Sequence, residues 1–160
     1  MLQRIQSVFL AMVAILMATC TALNYWRKFT ADGEAKVYLS PIGKATITSE
    51  SSGMIMEYFP YTAVAVLALI ACGIAIYEIT QFKNRLLQLK LGALNSVFMG
   101  ATLVLMIYFI TQNEEMVDAA YKGNYMISFY FPAGAMLFNI IANRFIRKDE
   151  KLVRSADRMR

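Results

Sequence analysis

The sequence predicts an all-α integral membrane protein built as a bundle of four transmembrane helices. Of its 160 residues, 58% are apolar and only 17% are charged. The charges are unevenly spread, because four stretches of 22, 20, 23 and 21 residues carry none: residues 5–26, 58–77, 91–113 and 123–143. A helix of about 20 apolar residues crosses about 30 Å of hydrocarbon, so each stretch is long enough to span a bilayer.

These stretches define a single membrane domain over residues 1–160. We expect its transmembrane helices at about residues 7–25, 58–77, 91–111 and 123–143. The first stretch also has features of a signal peptide, because Arg4 precedes an apolar run that reaches Cys20. That run is long enough to span the membrane, and we therefore interpret it as a retained helix.

Two segments outside the stretches have structure of their own. The outer loop, residues 27–56, is expected to contain a small β-hairpin-like structure, because residues 36–40 and 44–49 alternate in polarity around a turn at 41–43. The tail, residues 144–160, repeats its apolar residues at helical spacing. It is therefore expected to form an amphipathic cytoplasmic helix.

The distribution of lysine and arginine predicts the orientation. The N-terminus, the segment between the second and third stretches, and the tail carry 11 of the 16 Lys and Arg residues, and the other two loops carry 5. Cytoplasmic loops are enriched in Lys and Arg, so both termini are expected in the cytoplasm. The net charge of +5 is then a topology signal, and no nucleic-acid binding is expected.

The sequence offers little for catalysis or for a cofactor. It has no histidine, which removes histidine-ligated haem and histidine bases. Its two cysteines, Cys20 and Cys72, lie within the expected spans and are interpreted as small apolar fillers. We find no glycine-rich phosphate loop, zinc-binding spacing or nucleophile elbow. We therefore expect no enzyme activity, no cofactor and no metal.

Small residues recur at spacings of three and four on two of the expected helices. Small side chains let helix backbones approach closely in a membrane. The expected packing residues are Ala11, Ala14 and Ala18 on the first helix, and Gly92, Ser96 and Gly100 on the third. The contact made by the third helix could lie within the bundle or with another subunit.

Polar residues inside the spans form a second group of candidates. Asn95, Asn139 and Asn143 are expected either to hydrogen-bond between helices or to line a site for a substrate. Pro132 is expected to kink the fourth helix near its middle, because proline lacks a backbone N–H. Glu78 is expected to be a solvated or ion-paired carboxylate at the cytoplasmic interface.

The tail concentrates basic side chains. Such cations bind anionic lipid headgroups, and contact with a cytoplasmic protein is the alternative. The expected lipid or partner contacts are Arg147, Lys148, Lys151, Arg154 and Arg158.

The two ends of the chain resemble a known family. Residues 1–6 (MLQRIQ) and 143–160 (NRFIRKDEKLVRSADRMR) are similar to the ends of a family of small four-helix inner-membrane proteins of Bacteroidota. That family is classed as a domain of unknown function. The resemblance implies a bacterial inner (cytoplasmic) membrane and supplies no catalytic residues.

These features together favour a non-enzymatic membrane interaction protein, acting as an accessory subunit or assembly factor of a larger membrane complex. Membrane lipids and other membrane subunits are the expected partners, and a homo-oligomer is compatible with the same features. Two alternatives stay open. One is a transporter of small solutes or a lipid-handling protein that uses the intramembrane asparagines, and the other is a regulatory adaptor that acts through the basic tail.

Overall fold

The computed structural model describes residues 2–29, 35–48, 53–82, 84–116 and 122–158. Within these ranges the chain forms four long helices, five short strands and one 3-10 turn. The helices are α1 (Leu2–Ala22), α2 (Thr62–Thr80), α3 (Arg85–Met116) and α4 (Phe131–Arg158). The strands are β1 (Trp26–Phe29), β2 (Ala35–Leu39), β3 (Lys44–Thr48), β4 (Gly53–Glu57) and β5 (Asn124–Tyr125), and the 3-10 turn is Ile127–Tyr130.

The four helices pack side by side in a ring. α1 contacts α2 and α4, and α3 contacts the same two helices from the opposite side. Buried positions recur along each helix at alternating spacings of three and four. On α3, for example, they are Gln88, Gly92, Asn95, Met99, Thr102 and Met106. This spacing keeps one stripe of each helix facing the centre of the ring, as in left-handed helical packing.

Small residues on α2 allow the ring to close tightly. Ala68, Ala71 and Ala75 are fully buried, and they pack with Val13 and Met99 in one apolar cluster. An alanine adds little side-chain volume between two helices, so the backbones can approach. Small packing residues were expected on α1 and α3, and the alanines of α2 were not among them.

The strands form one antiparallel sheet, in the order β4-β3-β2-β1-β5. The sheet lies at the end of the helical ring where α1 ends and where α2 and α4 begin. Trp26 of β1 and Leu39 of β2 are directly opposed, and both pack in a buried cluster with Ile110 of α3. The opposite end of the ring holds the start of α1, the turn between α2 and α3, and the end of α4.

The predicted bundle of four transmembrane helices is wrong. Of the helices in the described parts of the chain, α1, α2 and α3 are long and apolar enough to cross a membrane, and α4 is not. The last uncharged stretch is divided, because its first part forms β5 and the 3-10 turn and the helix begins only at Phe131. Residues 131–143 are then the longest uncharged run in α4, and they extend about 20 Å, which is less than the hydrocarbon thickness.

Two further expectations about the fold need correction. The outer loop is no isolated hairpin, because β2 and β3 belong to a five-stranded sheet whose edge strand β5 comes from a distant part of the chain. Pro132 is the second residue of α4 and so causes no mid-helix kink. Proline is tolerated in a first turn, where its missing N–H has no partner within the helix. The tail continues α4 without a break as far as Arg158.

Candidate functional site

Asn139 of α4 connects the predicted polar residues of the spans with the predicted packing residues of α3. It is fully buried, and its Nδ2 donates to the backbone oxygen of Gly92 at 2.7 Å and to Oγ of Ser96 at 2.9 Å. The Ser96 hydroxyl in turn donates to the same Gly92 oxygen at 3.1 Å. The structure therefore brings the small residues of α3 against a polar residue of α4.

Gly92 provides the space for a second amide from α4. A Cβ atom at this position would lie 2.7 Å from Nδ2 of Asn143, which is too close for any real contact. The Asn143 side chain therefore rests directly on the backbone of α3. Its Oδ1 is buried and accepts no hydrogen bond from the residues that the structure describes. Gly100, two turns further along α3, differs because nothing lies within 4 Å of a Cβ placed there.

A cleft of about 490 Å³ opens between α3 and α4 next to these contacts. We call it the α3–α4 cleft. Its lining residues are Leu89, Ala93, Ser96, Ile140, Asn143, Arg144 and Arg147. Arg144 and Arg147 are exposed, and neither guanidinium forms an ion pair or hydrogen bond with another described residue. The cleft therefore combines two unpaired cations, neutral polar groups and an apolar wall.

The centre of the ring contains polar side chains that were not predicted there. Glu78 is fully buried, and neither carboxylate oxygen has a hydrogen-bond partner among the described residues. The expectation of a solvated or paired Glu78 is therefore wrong. Gln88 is also buried and donates its Nε2 to the backbone oxygen of Glu78 at 3.1 Å. Gln6, near the start of α1, is buried at the same end of the ring. Asn95 on α3 is buried as well.

The helical spacing contains the signal for this buried set. Glu78 lies seven residues after the buried Ala71, and Gln88 lies seven residues before Asn95, so each continues an inward stripe. Asn95 differs from Asn139, because neither of its amide atoms finds a hydrogen-bond partner in the described parts of the chain. The three predicted asparagines therefore do not form one site.

The remaining predicted residues are more dispersed. Ala14 is buried on α1, Ala11 is partly buried and Ala18 is exposed, so these three do not share one buried contact. Arg147, Lys148 and Lys151 are exposed on the last turns of α4. The side chains of Arg154 and Arg158 lie outside the described residues. The lipid or partner role of all five basic residues stays a prediction.

The other end of the molecule presents an open sheet edge. Among the strands that the structure describes, β4 is an edge strand that pairs only with β3. Its side chains are exposed on both faces: Met54 and Ile55 are each 57% exposed and Met56 is 51% exposed. Phe59, just beyond the strand, is 87% exposed. The opposite edge differs, because β5 has only two residues.

The junction between sheet and helices is buried and polar in part. The phenol of Tyr25 is fully buried without a hydrogen-bond partner among the described residues. Burial, followed by the neighbouring Tyr61 and Cys20, raises the pKa of Tyr25 well above its ordinary value of 10.0. Lys28 of β1 is also buried and donates from Nζ to the backbone oxygen of Glu114 at 3.0 Å, which ties the sheet to the end of α3.

These features do not describe a metal site. Among the described residues, no three His, Cys, Asp or Glu side chains come together as ligands for a metal ion. The candidate sites are therefore the α3–α4 cleft and the open edge of the sheet, at opposite ends of a helical ring.

The fold defines a helical protein with three potential membrane spans and a small sheet at one end, which is compatible with a membrane protein. The family model described as "Domain of unknown function (DUF4293)" matches residues 2–159. The chain therefore belongs to the DUF4293 family, which confirms the resemblance to an uncharacterised family. Its origin in Bacteroidota stays a prediction. No curated protein matches the chain at a significant level.

Proposed function

We propose that this protein is a non-enzymatic accessory subunit or assembly factor that binds another membrane protein through strand β4. The observation that carries the proposal is the open edge of the sheet, where three consecutive apolar side chains are exposed. An edge strand presents unpaired backbone N–H and C=O groups that can pair with a strand from another chain. Natural proteins usually protect such edges with lysine, proline or a bulge, and residues 53–57 contain no lysine or proline.

The alternation of side chains along β4 favours an extended polypeptide as the occupant. Met54 is opposite Ile47 and Met56 is opposite Ala45, so these four side chains share one face of the sheet, and Ile55 lies on the other face. An added strand would satisfy the backbone groups of β4 and cover side chains on both faces. A lipid surface would cover the side chains and leave the backbone groups unpaired. Methionine is also common at binding surfaces because its side chain adapts to different partners.

The proposal places the protein in a bacterial inner membrane, with the sheet on the outer side and the start of α1 in the cytoplasm. The uncharged part of α4 is too short to span a bilayer alone, but α4 packs along α1 and α3 and runs back from the sheet to the cytoplasmic end of the ring, so both termini are placed in the cytoplasm. Its support is the excess of Lys and Arg at the end of the ring opposite the sheet. Cysteine variants test this orientation. A membrane-impermeant maleimide added to intact cells should label Ile42→Cys in the sheet. Lys148→Cys on α4 should be labelled only after the membrane is permeabilised.

Photocrosslinking in native membranes tests the binding role. A photoreactive amino acid at position 55 should crosslink to one membrane protein. The same group at Ile127, which is exposed beside the short edge strand β5, should not crosslink to that protein. The double change Met54→Lys and Met56→Lys should abolish copurification of the crosslinked protein, because charges on an edge strand oppose pairing. Ile127→Lys is the matched control and should retain the partner, because it adds a lysine at an exposed apolar position next to β5, at the opposite edge of the sheet.

Two results would contradict the proposal. One is equal crosslinking of the same protein from positions 55 and 127, which would indicate nonspecific contact. The other is a crosslink from position 55 that joins only two copies of this chain, which would indicate a homo-oligomer and no separate partner.

A further inference from the structure

We propose that the α3–α4 cleft binds one anionic phospholipid and holds its phosphate between Arg144 and Arg147. The inference relies on the proposed membrane location but is independent of the partner at β4. It concerns the opposite end of the molecule. It assigns one lipid to a cavity, which differs from a general attraction of anionic lipids to the basic tail.

The polar half of the cleft fits a phosphodiester headgroup. The two guanidiniums come from the same helix, three residues apart, and therefore project from neighbouring turns. Neither forms an ion pair with a described acid; Arg85 does, at 3.1 Å to Asp149, so acid pairing is available nearby on the same two helices. Arginine binds phosphate oxygens through several N–H donors in a fixed plane.

Neutral polar side chains lie beside the two arginines. Asn143 and Ser96 line the same cleft. The Asn143 Oδ1 itself is buried against Gly92 of α3, so it is not a contact for the ligand. A headgroup that carries hydroxyls beside its phosphate, as in a phosphatidylglycerol, supplies the anion for the arginines and suits a partly polar wall.

The apolar half of the cleft fits the start of an acyl chain. Leu89, Ala93 and Ile140 form its wall, and Ala93 and Ile140 are exposed on the side of the helical ring. Gly100 lies two turns further along α3, and no atom lies within 4 Å of a Cβ placed there, so this position also leaves space beside the helix. Basic pockets between membrane helices on the cytoplasmic side bind anionic headgroups in this way. The cavity volume lies in the range of small-molecule sites.

Native mass spectrometry of the purified full-length chain in mild detergent tests this site. Dioctanoyl phosphatidylglycerol should bind as a single copy, and dioctanoyl phosphatidylcholine should bind at least tenfold more weakly. Arg144→Gln and Arg147→Gln should each weaken phosphatidylglycerol binding about fivefold, since a cation near a lipid surface contributes about that factor. Lys90→Gln is the matched control, because it removes one exposed charge from α3 at the same end of the ring without lining the cleft. It should leave binding unchanged.

A second variant distinguishes lipid binding in the cleft from a general effect of positive charge. Ala93→Phe fills the apolar wall, keeps every charge and should weaken binding of the lipid by at least tenfold. Three results would each overturn the inference: Lys90→Gln weakens binding as much as the arginine changes, Ala93→Phe has no effect, or inorganic phosphate competes as well as the lipid. Because no partner protein is present, a failure here is distinguishable from a failure of the β4 proposal.

Discussion

Replacing Asn139 by leucine should destabilise the helical ring, whereas the same change at Asn95 should not. Both asparagines are fully buried on facing helices. The Asn139 amide donates two hydrogen bonds, to the Gly92 backbone oxygen and to Ser96, and leucine removes both. Hydrogen bonds between membrane helices contribute about 0.6–1.7 kcal/mol each. Leucine also removes the buried Asn139 Oδ1, which has no partner among the described residues, so the net loss should be about 1–2 kcal/mol.

Asn95 supplies the matched control because its amide has no partner among the described residues. Leucine there removes a buried polar group that makes no hydrogen bond, so the free energy of unfolding should stay constant or rise by up to about 1–3 kcal/mol. Steric trapping of the purified chain in mixed micelles measures both values without urea. Equal destabilisation by the two variants would refute the reasoning, since it would mean that Asn95 is as well bonded as Asn139.

Three more predictions concern positions that the structure distinguishes clearly. Gly92→Ala should destabilise the fold by about 1–3 kcal/mol in the same assay, because its methyl group would collide with an amide of α4, whereas Gly100→Ala should be neutral or stabilising by up to about 1 kcal/mol. Tyr25→Phe should reduce the loss of stability above about pH 10. The raised pKa keeps the buried phenol protonated while the unfolded chain ionises, so rising pH favours unfolding of the parent chain, and pH-dependent unfolding curves measure the difference. Arg85→Gln and Asp149→Asn should couple by no more than about 1 kcal/mol in a double-mutant cycle, and less at high salt, because their ion pair is partly exposed.

The sequence predicted three helices well because their signal is local. The uncharged stretches matched α1, α2 and α3 to within a few residues at most ends. It failed for α4, since hydropathy alone does not separate a helix from an apolar strand and turn. The stretch from 123 to 143 is apolar throughout, yet its first part pairs with β1 or forms the 3-10 turn.

The sheet was recognised only where its pairing is local. β2 and β3 flank one tight turn, and the alternating pattern located both strands nearly to the residue. β1 was not predicted, because it contains the two charged residues Arg27 and Lys28. The Lys28 side chain is nevertheless buried and donates to the end of α3. Its pairing with β5 joins residues about a hundred positions apart, and no local pattern specifies such a contact.

The candidate sites, too, were predicted only where the signal is local in the sequence. Small residues on α3 and asparagines on α4 were both identified from composition, but their hydrogen bonds depend on how the two helices face each other. Glu78 was misplaced because its neighbours in sequence suggested a membrane interface, whereas its helical phase places it inside the ring. The edge strand β4 was not predicted, because the outer loop was expected to contain only the hairpin of residues 36–40 and 44–49.

Hydrogen exchange at β4 tests the central claim, that a partner strand covers this edge, most directly. The measurement compares the outward-facing backbone amides of residues 54–57 in the purified chain with those in the complex extracted from native membranes. The proposal predicts that these amides exchange at least tenfold more slowly in the complex, while the amides of the central strand β2 are unchanged. Equal exchange rates at β4 in an intact complex would contradict the proposal, because the edge would then be open while the partner is bound.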